Sequence, residues 1–117
     1  FWDLHDVPGQ EHFDYDLNAA GNFPPMTNHF SFSVANKTEL QVKRQDWLDE
    51  GLNVLEIDHN WCHSIYTSDP DGNAIEFCTT TGEFTAEDRK HALANLDLEE
   101  FQPSPEPAMM KLWEADK

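Results

Sequence analysis

A carboxylate at the centre of an apolar strand needs a cation or a proton beside it, and Glu76 is placed that way. It follows Asp69-Pro70-Asp71-Gly72-Asn73, a turn by its chemistry. Pro70 presets φ, Asp71 and Asn73 can bond their own backbone, and Gly72 accepts positive φ. Alternation on either side makes this a hairpin between a strand near 61–68 and another near 74–79. Period two puts Ala74, Glu76 and Cys78 on one face, with Ile75 and Phe77 on the other. Residues 28–34, NHFSFSV, alternate as strictly: His29, Ser31 and Ser33 against Phe30, Phe32 and Val34. His29 and Glu76 are then expected on one polar sheet face. Together they are two-thirds of a 2-His-1-carboxylate set, which leaves positions open on ferrous iron. A strand histidine paired with a glutamate, with no metal, is the other reading of the same spacing. Tyr66 shares its parity with Cys62 and Ser64, so its hydroxyl is expected near Glu76 as a proton donor or substrate clamp. A core aromatic with a hydrogen-bonded tip is the alternative. His59 lies in the loop before that strand, and His63 has the opposite parity and points away. His5 and His91 read as loop and exposed-helix residues.

These side chains need a sheet and a helix to hold them. Asn36 with Glu39 resembles a capping box, 37–50 runs without Gly or Pro, and Gly51 stands where a C-terminal cap belongs. Leu40, Trp47 and Leu48 form one stripe of that helix, expected to cover the Phe30 and Phe32 face. A short strand at 54–57 leads into the hairpin. The order is β-α-β-β-β, an α+β class with a mixed sheet whose polar, concave face carries His29, Ser31 and Glu76. Three regions follow: 1–27, a strand and connector; 28–81, the β-α-β-β-β module; and 82–117, a helix and Pro-rich tail. In the first, Glu11 to Leu17 alternates, with Phe13, Tyr15 and Leu17 inward and His12, Asp14 and Asp16 on the other face. The opening FWDLHD reads as mid-strand and has no starting methionine, so the chain is taken as processed or partial. Thr85 with Asp88 makes a second capping box for a helix over 86–96, QPSPEP is an extended linker, and 109–113 reads as a loose tail or one docking helical turn.

Seven basic against twenty-three acidic residues give a net charge of −16 over 117 residues. Such a surface repels phosphate backbones and anionic lipid, which excludes nucleic acid and membrane as partners. It reads as a solubility-tuned or salt-adapted surface rather than an acidic docking patch. The length fits one small domain, without an apolar run long enough to span a bilayer or a signal peptide at the start. Cys62 and Cys78, on neighbouring strands, are expected as reduced thiols in a cytoplasmic protein.

The β-α-β-β-β order, opened by His29 and closed by DPDGNAIEF, resembles a module of the vicinal oxygen chelate superfamily. That group includes glyoxalase I, methylmalonyl-CoA epimerase, the fosfomycin and bleomycin resistance proteins and the type I extradiol dioxygenases. The resemblance covers 28–79 and extends more weakly to EHFDYDL, similar to the last strand of a preceding module. Ile57-Asp58-His59, Ile65-Tyr66, Asp69-Pro70-Asp71-Gly72 and Glu76 fit the extradiol dioxygenase signature in residue and spacing. The resemblance implies a cupped sheet and a divalent metal, Fe(II) before Zn, Mn, Ni or Co, bound by the positions of His29 and Glu76. It makes His59 and Tyr66 the substrate-facing second shell, and His12 a distal acid–base histidine or a ligand. The substrate implied is a small aromatic diol cleaved with O2, with Tyr66 and His59 donating to its oxygen. The family builds its cup from two modules, and the strand bearing the first metal histidine is not in this chain. The third ligand then comes from another polypeptide, from His12, or is missing from a fragment, and a homodimer is expected from the missing half-cup. The tail after Thr81 resembles small uncharacterised superfamily members. Two other activities share the pattern: a glyoxalase- or epimerase-like lyase or isomerase, and a metal-free small-ligand binder like the bleomycin resistance proteins.

Overall fold

The computed structural model describes residues 4–100 and 105–116. Its elements run α1 (Leu17–Ala20), β1 (His29–Ser33), α2 (Lys37–Asp49), β2 (Val54–Asp58), β3 (Cys62–Ser68), β4 (Ala74–Thr80), α3 (Ala86–Asn95) and β5 (Met109–Trp113). The β-α-β-β-β succession read from the sequence is present. The chain is α+β with one five-stranded mixed sheet, ordered β1-β4-β3-β2-β5. β2 is antiparallel to β3, with Leu55 opposite Tyr66 and Ile57 opposite Ser64. It is also antiparallel to β5, with Leu55 opposite Leu112 and Ile57 opposite Met110. The sheet is open and uncurled, with β1 and β5 at its edges, so the expected cup is not formed by these strands.

Backbone contacts group the chain into two units, Phe1–Phe30 with Ser68–Ile75 and Ser31–Thr67 with Glu76–Lys117. In the larger unit, α2 starts where Asn36 accepts from the Glu39 N–H at 3.0 Å. It ends in a Schellman closure: Leu52 N–H donates to Trp47 O and Gly51 N–H to Leu48 O, with Gly51 at φ +81°. The helix stripe packs as expected, Leu40 joining Val54 and Ile65 in the core with Trp47, Leu48, Phe77, Val34 and Trp113 against them. Phe30 and Phe32, expected beneath the helix, are both half exposed, and the Phe32 ring lies 5.9 Å from Phe77 at the edge of this cluster. The helix lies over the middle strands, and an edge strand leaves one flank of each side chain to solvent. α3 carries a complete capping box, Thr85 and Asp88 each bonding the other's backbone N–H.

Two expectations fail here. Residues 109–113 form neither a loose tail nor a helical turn but a strand, which pairs with β2 along its whole length. In the smaller unit, Glu11 to Leu17 is not a strand. Asp14 Oδ1 accepts from Asp16 N–H and Asp16 Oδ1 from Ala19 N–H, both at 2.9 Å, and these local bonds turn the chain into α1. Phe13 and Leu17 are exposed rather than core-facing, and Tyr15 packs edge-on to His5 and Phe13. The same unit holds the turn: Asp69 Oδ1 accepts from Asp71 and Asn73 N–H groups, and Gly72 sits at φ +77°. Buried Asn18 ties it down, accepting from Asn28 N–H at 3.0 Å and donating to Gly72 O at 3.4 Å.

Candidate functional site

The turn sets the register of the hairpin above it. Asp69 N–H donates to Asn73 O at 3.0 Å around a three-residue loop whose last residue is the left-handed Gly72. Counting back along strands of equal length puts Tyr66 opposite Glu76 and Ser64 opposite Cys78. Both are non-hydrogen-bonded pairs, the kind in which side chains approach most closely. Glu76 is buried, 8 % exposed, as the strand reading requires. Burial above all pushes the Tyr66 hydroxyl up to about 12; a bond with Ser64 opposes it, and the charge and hydrogen bond of Glu76 add to the rise. Tyr66 therefore stays a neutral donor at any ordinary pH.

His59 completes a chain of three. Its Nε2 lies 3.0 Å from the Tyr66 hydroxyl, the two rings edge to face. A phenol has one proton to give. If it goes to the Glu76 carboxylate, the Tyr66 oxygen is left to accept, and the neutral imidazole must carry its proton on Nε2. The order is His59 N–H to Tyr66 O–H to Glu76. Such a relay can hold a polar group over the sheet and pass a proton along it. Leu55 and Leu112, next to Tyr66 in the same cross-strand row, supply an apolar floor.

The other expected site residues stand as follows. His29 opens β1 and its Nδ1 is 3.1 Å from Met26 O. Only a ring N–H can bond a carbonyl, so in the neutral ring Nε2 carries the lone pair, the arrangement common to metal-binding histidines. His12 is an exposed turn residue. Among the described residues, no group of three or more His, Cys, Asp or Glu is arranged to hold a metal ion. His29 and Glu76, the two expected metal donors, belong to different units of the chain, and no complete centre is built from the described residues.

His63 points to the opposite face, as its parity requires, and takes part in a network that sequence reasoning missed. Glu56, 7 % exposed, accepts from Arg44 at 2.7 Å, from His63 Nε2 at 2.8 Å and from the Trp113 indole N–H at 2.6 Å. Burial would raise the Glu56 carboxyl, but the bonds from His63, Arg44 and Trp113 outweigh it and hold the group below its usual range. Arg44 and Lys111 lie over the Trp113 ring, 4.0 and 3.3 Å from its centre. The signal was available: Glu56, between Leu55 and Ile57, is a strand-centred carboxylate by the rule that singled out Glu76. The smaller unit contains a cavity of about 380 Å³ whose lining includes Asp16, Phe23, Pro25 and Met26, for which the sequence offers no motif.

Compared with models of protein families, with curated proteins and with solved structures, the chain matches none. No helix among the described residues is long and apolar enough to cross a membrane.

Proposed function

We propose that this chain forms part of a metal-dependent site of the vicinal oxygen chelate type, acting in the cytoplasm on a small aromatic diol. Glu76 and His29 are its carboxylate and imidazole donors. The observation that carries the reading is the His59–Tyr66–Glu76 relay on one sheet face, within the β-α-β-β-β succession that the resemblance requires. The third donor comes from a second copy of the chain, which makes a homodimer the working assembly. Fe(II) is favoured over Zn, Mn, Ni or Co. When bound, such an ion supplies a positive centre that holds a catecholate.

The chain's own residues do the rest. Tyr66, held neutral, donates to the substrate oxygen once that oxygen displaces its bond to Glu76. His59 holds the phenol oxygen in place and replenishes its proton. The Leu55–Leu112 row packs the ring of an aromatic substrate and keeps water from the relay. His12 is assigned by the resemblance alone, as the distal acid–base group. A second reading draws on the same apolar row: a metal-free pocket in which Tyr66 and His59 grip an aromatic ligand by hydrogen bonds.

Anaerobic purification with elemental analysis, for wild type and Glu76→Gln, tests the first reading. Stoichiometric iron that is absent from Glu76→Gln, with oxygen uptake on adding catechols, is the expected result. Metal retained by Glu76→Gln would remove Glu76 as a ligand. Catechol affinity unchanged by chelator would move the assignment to the binding protein, and zinc or nickel without oxygen uptake to the lyase or isomerase class.

A further inference from the structure

Both cysteines are free and lie on the sheet face that carries Glu76 and Tyr66. Cys62 opens β3 and Cys78 lies on β4. The hairpin register pairs Cys78 with Ser64 and Cys62 with Thr80, so the two thiols are diagonal neighbours on adjacent strands. Each has a hydroxyl beside it: Ser64 Oγ is 3.9 Å from Cys62 Sγ, and Ser31 Oγ is 3.6 Å from Cys78 Sγ. Cys62 is 6 % exposed, below the closure where Thr81 and Gly82 N–H groups bond Trp61 O. Cys78 is half-buried and open toward exposed Ser31, which gives an entry path.

A disulfide does not suit this placement. Diagonal positions on an antiparallel pair are roughly 7–8 Å apart, beyond the approximately 4.4–6.8 Å that a disulfide spans between Cα atoms. A bridging ion suits it better, because two metal–thiolate bonds of about 2.3 Å in line separate the sulfurs by about 4.6 Å. Zinc requires four donors, and no group of even three His, Cys, Asp or Glu is gathered among the described residues. A soft, closed-shell monovalent cation is satisfied by two thiolates and prefers them to oxygen and nitrogen.

We propose that Cys62 and Cys78 form a two-thiolate site for a soft monovalent cation of the Cu(I) type. Binding forms two sulfur–metal bonds, breaks two S–H bonds and releases two protons to solvent, with no change of oxidation state. The acidic chain attracts the cation, and the Glu76 carboxylate lies on the same face of the sheet as the two thiols. Because each thiol gives up its proton on binding, affinity increases with pH. The Ser31 and Ser64 hydroxyls then turn their protons toward the thiolates.

The site is independent of the metal-dependent reading above, and its test keeps the two apart. Cu(I) is titrated anaerobically into the full chain against a chromogenic Cu(I) chelator, for wild type, Cys62→Ser and Cys78→Ser. One equivalent should bind to wild type. Each cysteine variant should lose more than the roughly 10–100-fold that removal of an outer-shell partner costs. Alkylation of wild type by iodoacetamide, read by mass spectrometry, gives a variant-free measure: Cu(I) should protect both cysteines together. Failure of wild type to take copper from the chelator, retention of affinity in either cysteine variant, or protection of one cysteine alone would each overturn the site.

Discussion

Replacing Glu56 with alanine tests the account of what joins β5 and α2 to the sheet. Three donors converge on this carboxylate, two of them on Oε2, and the Arg44 side chain is only 18 % exposed. Removal leaves a largely buried guanidinium without its counter-ion and two ring N–H groups without an acceptor. Breaking a buried pair by deleting one partner costs about 3–5 kcal/mol, most of it the stranded charge. That is a large share of the roughly 5–15 kcal/mol that holds a domain of this size. At about 4 °C per kcal/mol, the midpoint of thermal unfolding should fall by about 12–20 °C. Urea unfolding followed by tryptophan fluorescence and far-UV circular dichroism gives the free energy and shows whether both probes move together. The double variant Arg44→Met/Glu56→Leu removes both charges and keeps the volume, so it should recover most of the loss. A Glu56→Ala penalty below about 1 kcal/mol, or a double variant no better than the single one, would refute the stranded-charge reasoning. The pH dependence has a fixed sign. Because Glu56 titrates lower in the fold than its ordinary 4.5, its contribution is complete above that value and disappears as pH falls through the lower folded one.

Two further outcomes follow from the hairpin. Tyr66, raised from 10 to about 12, should give up its proton only in strong alkali, read as tyrosinate absorbance, and stability should fall as pH rises between those values. Glu76→Gln should bring that titration down, and an unchanged midpoint would break the Tyr66–Glu76 pairing. Gly72→Ala places a Cβ 2.5 Å from an Asp16 carboxylate oxygen at φ +77°, so it should destabilise by at least about 1 kcal/mol in urea unfolding. A neutral result would show that the turn is not held as described.

Much of the fold was legible because its signals are local. The alternation of 28–34, the Asn36 cap, Gly51 after the helix and the DPDGN turn each state a backbone preference within a few residues. Parity alone then sorted Tyr66 and Glu76 from His63. The failures have physical causes too. Met109–Trp113 is too short for periodicity to separate strand from helix, and its deciding partner, Glu56, is distant in sequence. EHFDYDL alternates, yet its aspartates spend their oxygens on nearby N–H groups, and that local competition overrides the pattern. The core beneath Phe32 was misjudged because alternation tells which face a residue takes but not how near the sheet edge its strand lies. The Glu56 network was missed because a partner set drawn from a helix and two strands has no linear spacing.

Glu56 and Glu76 are both buried carboxylates at strand centres, and the pleat sends them to opposite sides of one sheet. One carboxylate is saturated by the groups that clamp the fold, while the other faces the relay. The groups that hold Glu56, on Arg44, His63 and Trp113, lie on the face opposite Glu76, so the free-energy effects of altering the two carboxylates should add, with coupling of no more than about 0.5 kcal/mol. The sheet thus insulates its two faces from each other: changes to the ligand-facing side can accumulate without loosening the scaffold, and repacking of the helix side can harden the scaffold without retuning the ligand side.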